Sequence, residues 1–158
     1  MREMTRKEKI EWLSRYRNSL SRKSRIYDEI MELHESISPK SPKFDGMPRS
    51  GGDNNTSTVE LHTVLLSLLQ DEYKKSEEES QKIRSEIVSS LSRLKNENEY
   101  EVLKARYLSK QQKKFLEISF ALELSESRVR HIHLDGLDHL EIPEERDEIL
   151  YGSNNETV

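Results

Sequence analysis

The sequence predicts an all-α protein in which a long antiparallel helical hairpin, a coiled-coil arm, is followed by a small helix-turn-helix domain. Three observations predict this fold. Two long stretches, residues 5–36 and 59–94, carry apolar residues at helical spacing. A loop rich in Pro and Gly separates them, which suits two antiparallel neighbours. Three shorter amphipathic segments follow the charged break at residues 95–99, and a tight turn separates the last two.

The first long stretch, residues 5–36, contains no helix breaker and fits a heptad repeat. The two predicted core positions are occupied by Leu13, Leu20, Tyr27 and His34, and by Tyr16, Lys23, Ile30 and Ile37. Six of these eight residues are apolar. An isolated helix of this kind is not stable in water, so the apolar stripe predicts a helical partner.

The segment between the two long helices, residues 38–58, contains three Pro and three Gly and is predicted to be a loop. Its length indicates either a flexible linker or a functional segment. In the second case its centre forms an ordered turn whose basic side chains face an anion. The motif residues of this loop are Lys43, Asp45, Gly46, Met47, Pro48 and Arg49.

The second long helix is predicted over residues 59–94, with Leu, Ile and Val concentrated at its two ends. Its centre, residues 76–80, holds Ser and Glu, which predicts loose pairing or a bend. An antiparallel hairpin is the simplest arrangement of the two helices. A parallel dimer through either helix also fits the pattern, so a homo-oligomer formed through the coiled coil is an open alternative.

The helix-turn-helix domain is predicted over residues 96–141, and the acidic residues 142–158 after it are predicted to be a disordered tail. Ser125 is placed to cap the last helix, with Val129, Ile132 and Leu140 facing inward. The first turns of such a helix are the part that reaches base edges in DNA, where Arg can bind guanine with two hydrogen bonds. The predicted DNA-binding residues are Ser127, Arg128, Arg130 and His131, with phosphate contacts from Lys113, Lys114 and Arg106.

Composition restricts the other classes of function. The chain has no Cys, so disulfides and thiolate metal sites are excluded. No apolar run reaches the length of a membrane span and the first residues are charged, so we expect a soluble protein of the cytoplasm that binds no membrane. His131, His133 and His139 lack the spacing and companion ligands of a metal site. No phosphate loop or nucleophile motif is present either, so we expect neither an enzyme nor a cofactor.

The net charge of -4 is unevenly distributed along the chain. Residues 1–25 contain nine Lys or Arg and three Glu, whereas residues 141–158 contain six acidic residues and one Arg. Residues 104–140 are mildly basic, with seven Lys or Arg and five acidic residues. The two basic stretches are therefore the regions predicted to face phosphates.

Two motifs carry a resemblance to a known family. Residues 41–49, Ser-Pro-Lys-Phe-Asp-Gly-Met-Pro-Arg followed by Gly51-Gly52, match an S-P-K-x-D-G-M-P-R loop between two long helices. Residues 106–140 resemble a pattern of R-Y-I, W-x-x-I-A-x-x-L and S-x-x-x-V-x-x-I-H-x-x-A-L-x-x-L. The chain thus resembles the phage-encoded ArpU-type and RinA-type late transcriptional regulators, and especially related Gram-positive phage proteins with a sigma-region-four-like helix-turn-helix.

The resemblance implies a phage or prophage transcription regulator that binds double-stranded promoter DNA in a bacterial host and contacts RNA polymerase. The sequence departs from the family pattern in several respects. Residues 109–114, Ser-Lys-Gln-Gln-Lys-Lys, replace the family's E-G-x-S, and Phe115 replaces its Trp. Two further departures change the charge and polarity of the surface. Leu134-Asp135 stands in place of a basic pair, and apolar Leu116, Phe120 and Leu134 stand where polar residues are usual. Exposed apolar groups mark protein contacts. The alternative is therefore an interaction or assembly factor that binds RNA polymerase or another phage protein without reading DNA.

Overall fold

The computed structural model describes residues 3–37 and 54–144. These residues form five helices and no strand, which confirms the predicted all-α class. The helices are α1 (Arg6–Ile37), α2 (Asn54–Leu91), α3 (Glu97–Tyr107), α4 (Phe115–Leu122) and α5 (Glu126–His139). Within the described ranges, none of them combines the length and the apolar character that a membrane crossing requires.

The bounds of α2 differ from the prediction at both ends. The helix begins at Asn54 rather than at residue 59, so the last five residues of the predicted loop are helical. Asn, Thr and Ser are tolerated in a first turn because the N–H groups there have no partner within the helix. The helix ends at Leu91 rather than at residue 94. The loop motif residues 43–49 and the tail after Glu144 lie outside the described residues.

α1 and α2 form the predicted antiparallel hairpin. Arg15 pairs with Glu86 at 2.9 Å, and Arg22 pairs with Glu79 at 3.4 Å. Further along α1, the rings of Tyr27 and Tyr73 lie 6.3 Å apart. The residue numbers of the contacting residues on α2 therefore decrease as those on α1 increase, which shows that the two helices are antiparallel.

The predicted heptad register of α1 is right along one core position, and at the other it is right only at Leu13, which is fully buried. Ile30 is buried, and Tyr16 and Lys23 are half-buried, as expected. The second core position is occupied by Ser19, Ile26 and Leu33 rather than by Leu20, Tyr27 and His34. Tyr27 is 48% exposed. Core residues of a heptad are separated by alternating intervals of three and four residues. After Tyr16 the interval is three rather than the predicted four, because contact with α2 rather than apolar character selects the core residues.

Loose pairing at the centre of α2, one of the two predicted alternatives, is wrong. The helix is uninterrupted there, and Ser76 and Ser80 are only 5% and 2% exposed. These small side chains occupy core positions that Leu or Ile occupy elsewhere in the hairpin. Ser80 Oγ has no hydrogen-bond partner among the described residues. The centre of the arm is therefore packed but contains an unsatisfied buried hydroxyl.

The base of the hairpin shares its core with α3 and α5. Leu13, Ile87 and Leu91 are fully buried there. They pack in one cluster with residues of α3 and α5 and of the segments that follow those helices, namely Leu103, Tyr107, Leu108, Leu137 and Leu140. The packing therefore continues across the predicted boundary between residues 95 and 96.

Three basic side chains of α1 reinforce this connection. Arg17 Nη2 donates to the carbonyl of Arg106 at 2.7 Å, at the last turn of α3. Lys9 Nζ donates to the carbonyl of Leu137 at 2.8 Å, at the last turn of α5. Arg6 forms a two-bond ion pair with Asp138, at 2.7 and 2.6 Å. Two of these cations contact helix C-termini, where the carbonyl dipoles favour positive charge.

A second, smaller core lies under the helix-turn-helix. It consists of Val102 from α3, Ile118 from α4, and Val129 and Ile132 from α5, all at most 3% exposed. The predicted inward orientation of Val129, Ile132 and Leu140 is confirmed. α3 is thus the support on which α4 and α5 are packed.

Candidate nucleic-acid interface

The turn between α4 and α5 consists of residues 123–125. Glu123 adopts the left-handed conformation at φ 56°, and the N–H of Leu124 donates to the carbonyl of Ser119 at 3.0 Å. Ser125 then accepts a hydrogen bond from the N–H of Arg128 at 3.1 Å, which confirms it as the N-cap of α5. These three residues therefore end α4 and cap α5 without a longer loop between the two helices.

The exposed side of α5 is basic in its first half and acidic in its second half. Ser127, Arg128 and His131 are exposed and lie at helical spacings of one, three and four residues. Asp135 and Asp138 occupy the exposed side further along the helix. A helix that enters the major groove of DNA presents its first turns to the bases. This distribution of charge matches that orientation.

The side chains of Arg106, from α3, and Arg130, from α5, stack on one aromatic ring. The guanidinium carbons of Arg106 and Arg130 lie 4.3 and 4.9 Å from the centre of the Phe115 ring. Arg106 also donates to the carbonyl of Lys113, and Arg130 pairs with Glu126 at 2.8 Å. Two cations at one ring keep their side chains ordered. Arg130 therefore lies at the edge of the α5 face, beside α4.

A shallow groove of about 450 Å³ runs beside this ring. Arg106, Arg130 and Lys114 line it, together with the single acid Glu126. Lys113 and Lys114 are both exposed at the start of α4. The groove is positively charged and open to solvent, so an anionic backbone is the kind of ligand that its charges favour.

His133 supports this groove from inside the protein, a role that the sequence did not predict. Its side chain is buried, its Nε2 lies 2.8 Å from Tyr107 Oη, and its ring contacts Phe115 edge-on at 5.0 Å. Burial, and secondarily the charge of Arg106, lowers the pKa of His133 to about 4. Burial also raises the pKa of Tyr107. The pair is therefore neutral near pH 7 and positions the ring on which both arginines stack. A signal was available, because His133 follows the inward-facing Val129 by four residues.

The three predicted protein-contact residues are exposed. Phe120 is 76% exposed, Leu116 48% and Leu134 38%. Phe120 and Leu116 are four residues apart on α4 and so lie on one side of that helix. An aromatic ring exposed to this extent would be buried favourably by the surface of a partner protein.

The histidines of α5 do not converge. His131 is exposed, His133 is buried against Tyr107, and His139 Nδ1 lies 2.9 Å from the buried carboxylate of Glu99. No group of three or more His, Asp or Glu suited to a metal ion occurs among the residues that the structure describes.

Comparisons of the chain with protein-family models, with curated proteins and with solved structures found no significant match.

Proposed function

We propose that this chain is a transcriptional regulator of a phage or prophage, which acts in the cytoplasm of the bacterial host. It binds double-stranded promoter DNA with the first half of α5 in the major groove. The proposal is supported above all by one feature, the exposed basic first half of α5, directly after a tight, capped turn. The resemblance of residues 106–140 to phage regulators points in the same direction.

Within this proposal the basic residues have two roles. Arg128 and His131, with Ser127 beside them, face outward from the first turns of α5 and contact base edges. The four remaining cations contact phosphates. Arg106, Lys114 and Arg130 line the groove, and Lys113 is exposed next to Lys114. The motif loop at residues 43–49 has no assigned role.

The test is an electrophoretic shift assay on fragments of the genome that encodes the protein, with competitor DNA and at two salt concentrations. We expect a retained complex that weakens as salt rises, because binding through several phosphates releases counterions. Arg128→Ala with Arg130→Ala should weaken specific binding by at least about fivefold, since one two-bond base contact contributes about 1–3 kcal/mol. Lys75→Ala with Lys82→Ala, which removes two exposed charges from the arm, is the matched control. Equal binding by both variants would refute the assignment of α5.

A second candidate function is supported by the exposure of Phe120. In this alternative, α4 and α5 bind RNA polymerase or another phage protein without reading DNA. Direct binding to purified host polymerase would then be insensitive to salt, because the contact is apolar. Phe120→Ala should weaken it, whereas Met31→Ala, an exposed apolar residue on α1, should not. No shift on any DNA fragment at low salt, together with this pattern, would replace the first proposal by the second.

A further inference from the structure

The first half of α2 has an apolar stripe that no described residue covers. The stripe consists of Leu61, Val64, Leu65 and Leu68, which are 58%, 56%, 42% and 60% exposed. Their spacing of three, four and seven residues places them on one side of the helix. Leu66, Leu69 and Tyr73 are half-buried on the same helix, and the ring of Tyr73 contacts Tyr27 of α1. The stripe is therefore additional to the packing of the hairpin.

The helix around the stripe is also without charge. Residues 61–70 contain no Lys, Arg, Asp or Glu, although charged residues make up 35% of the chain. On a solvent-exposed helix, charge is the usual means of keeping the surface soluble. Depletion of charge at an apolar centre is typical of the core of a protein interface.

We infer that the stripe is a dimer interface that binds the stripe of a second copy of this chain, with the two α2 helices antiparallel. A twofold interface requires a patch that is complementary to itself. The stripe meets this requirement: in antiparallel register Leu61 of one copy faces Leu68 of the other, and Val64 faces Leu65. Its spacing is that of helices paired in a coiled coil. This inference does not depend on DNA binding.

The area of the stripe fits a modest dimer. Four side chains exposed by about half leave on the order of 400 Å² of apolar surface per chain, at roughly 100 Å² each. Apolar atoms form about 60% of an interface, so the stripe implies about 650 Å² per chain. Standard interfaces bury about 800 Å² per partner. We therefore expect dissociation in the micromolar range, with monomer and dimer in exchange.

Sedimentation equilibrium of the full chain at increasing concentration tests the inference. The wild type should rise from the 18.6 kDa of one chain toward twice that mass. Leu61→Gln with Leu68→Gln should stay monomeric at the concentrations where the wild type dimerises, while circular dichroism shows unchanged helicity. Met31→Gln with Val59→Gln is the matched control, because both residues are exposed and apolar but lie outside the stripe. A wild type that is monomeric throughout, or a stripe variant that dimerises like the control, would overturn the inference.

Cysteine cross-linking tests the antiparallel register, since the chain has no Cys of its own. Leu65→Cys lies next to the twofold axis and should form a disulfide-linked dimer on oxidation. Leu68→Cys should not, because the two copies of that residue are about 10 Å apart along the axis at about 1.5 Å per residue. Equal cross-linking of both variants would indicate parallel helices and contradict the register. A monomer in which Leu65→Cys is protected from a thiol reagent would indicate that residues 38–53 cover the stripe, which also overturns the inference.

Discussion

Acidification should destabilise the protein through His133. Its imidazole is buried between Tyr107 and Phe115, and its pKa is lowered from 6.5 to about 4. The unfolded chain therefore takes up a proton at this site before the folded chain does. The stability that the neutral, buried His133 provides is complete above pH 6.5, and it is lost as the pH falls through the interval down to about 4. Because a difference of one in pKa corresponds to about 1.4 kcal/mol, the free energy of unfolding should fall by about 3 kcal/mol over this interval.

The assay is urea unfolding followed by circular dichroism at several pH values, for the wild type and for His133→Gln. Glutamine has no charge to gain and can still hydrogen-bond to Tyr107. The wild type should be more stable than the variant near neutral pH, and the difference should shrink by about 3 kcal/mol as the pH falls to about 4. Other groups that titrate are common to both proteins and cancel in the difference. His34→Gln, an exposed change on α1, is the matched control. Parallel curves for the wild type and His133→Gln would refute the reasoning.

Three further substitutions test the packing, each by urea unfolding. Gly136→Ala should destabilise the protein by about 1 kcal/mol, because the added Cβ would lie 3.0 Å from the fully buried side chain of Leu103. We expect this steric cost to exceed the gain in helix propensity. A more stable variant would contradict the close approach of α3 and α5. Glu123→Gly should stabilise the protein by about 0.5–1 kcal/mol, since it relieves the left-handed backbone at the turn; Glu123→Ala, which keeps a Cβ, should give no such gain. Ser80→Ala should stabilise the protein by about 1 kcal/mol by removing a buried hydroxyl without a partner, and a loss of stability would reveal a hydrogen bond to that group.

Much of the fold follows from local patterns in the sequence. Helical spacing of apolar residues predicts all five helices, and Ser125 marks the start of α5 because only a capping side chain is favourable there. Local patterns fail where a residue is buried by contacts far away in the chain. Lys9 is buried because its ammonium group contacts a carbonyl 128 residues later, and nothing near Lys9 indicates this. Ser76 and Ser80 are polar, yet they occupy the core because α1 lies over them.

The candidate site shows the same division. The exposed residues of α5 are predictable, because once the apolar positions are assigned to the core the other positions of the helix must face solvent. The arrangement beside them was not, since Arg106, Phe115 and Arg130 come from three different helices or their ends and meet only in the folded chain. The residue type of His133 suggests metal binding, whereas its packing role is indicated only by its position four residues after the inward-facing Val129.

The core that the hairpin base shares with α3 and α5 limits how this protein can be divided. A helix-turn-helix is often treated as a portable part that can be cut out and grafted elsewhere. Here a cut after residue 95 would remove Leu13, Ile87 and Leu91 from the cluster and leave the apolar sides of α3 and α5 in water. The base of the arm and the helix-turn-helix must therefore be inherited together.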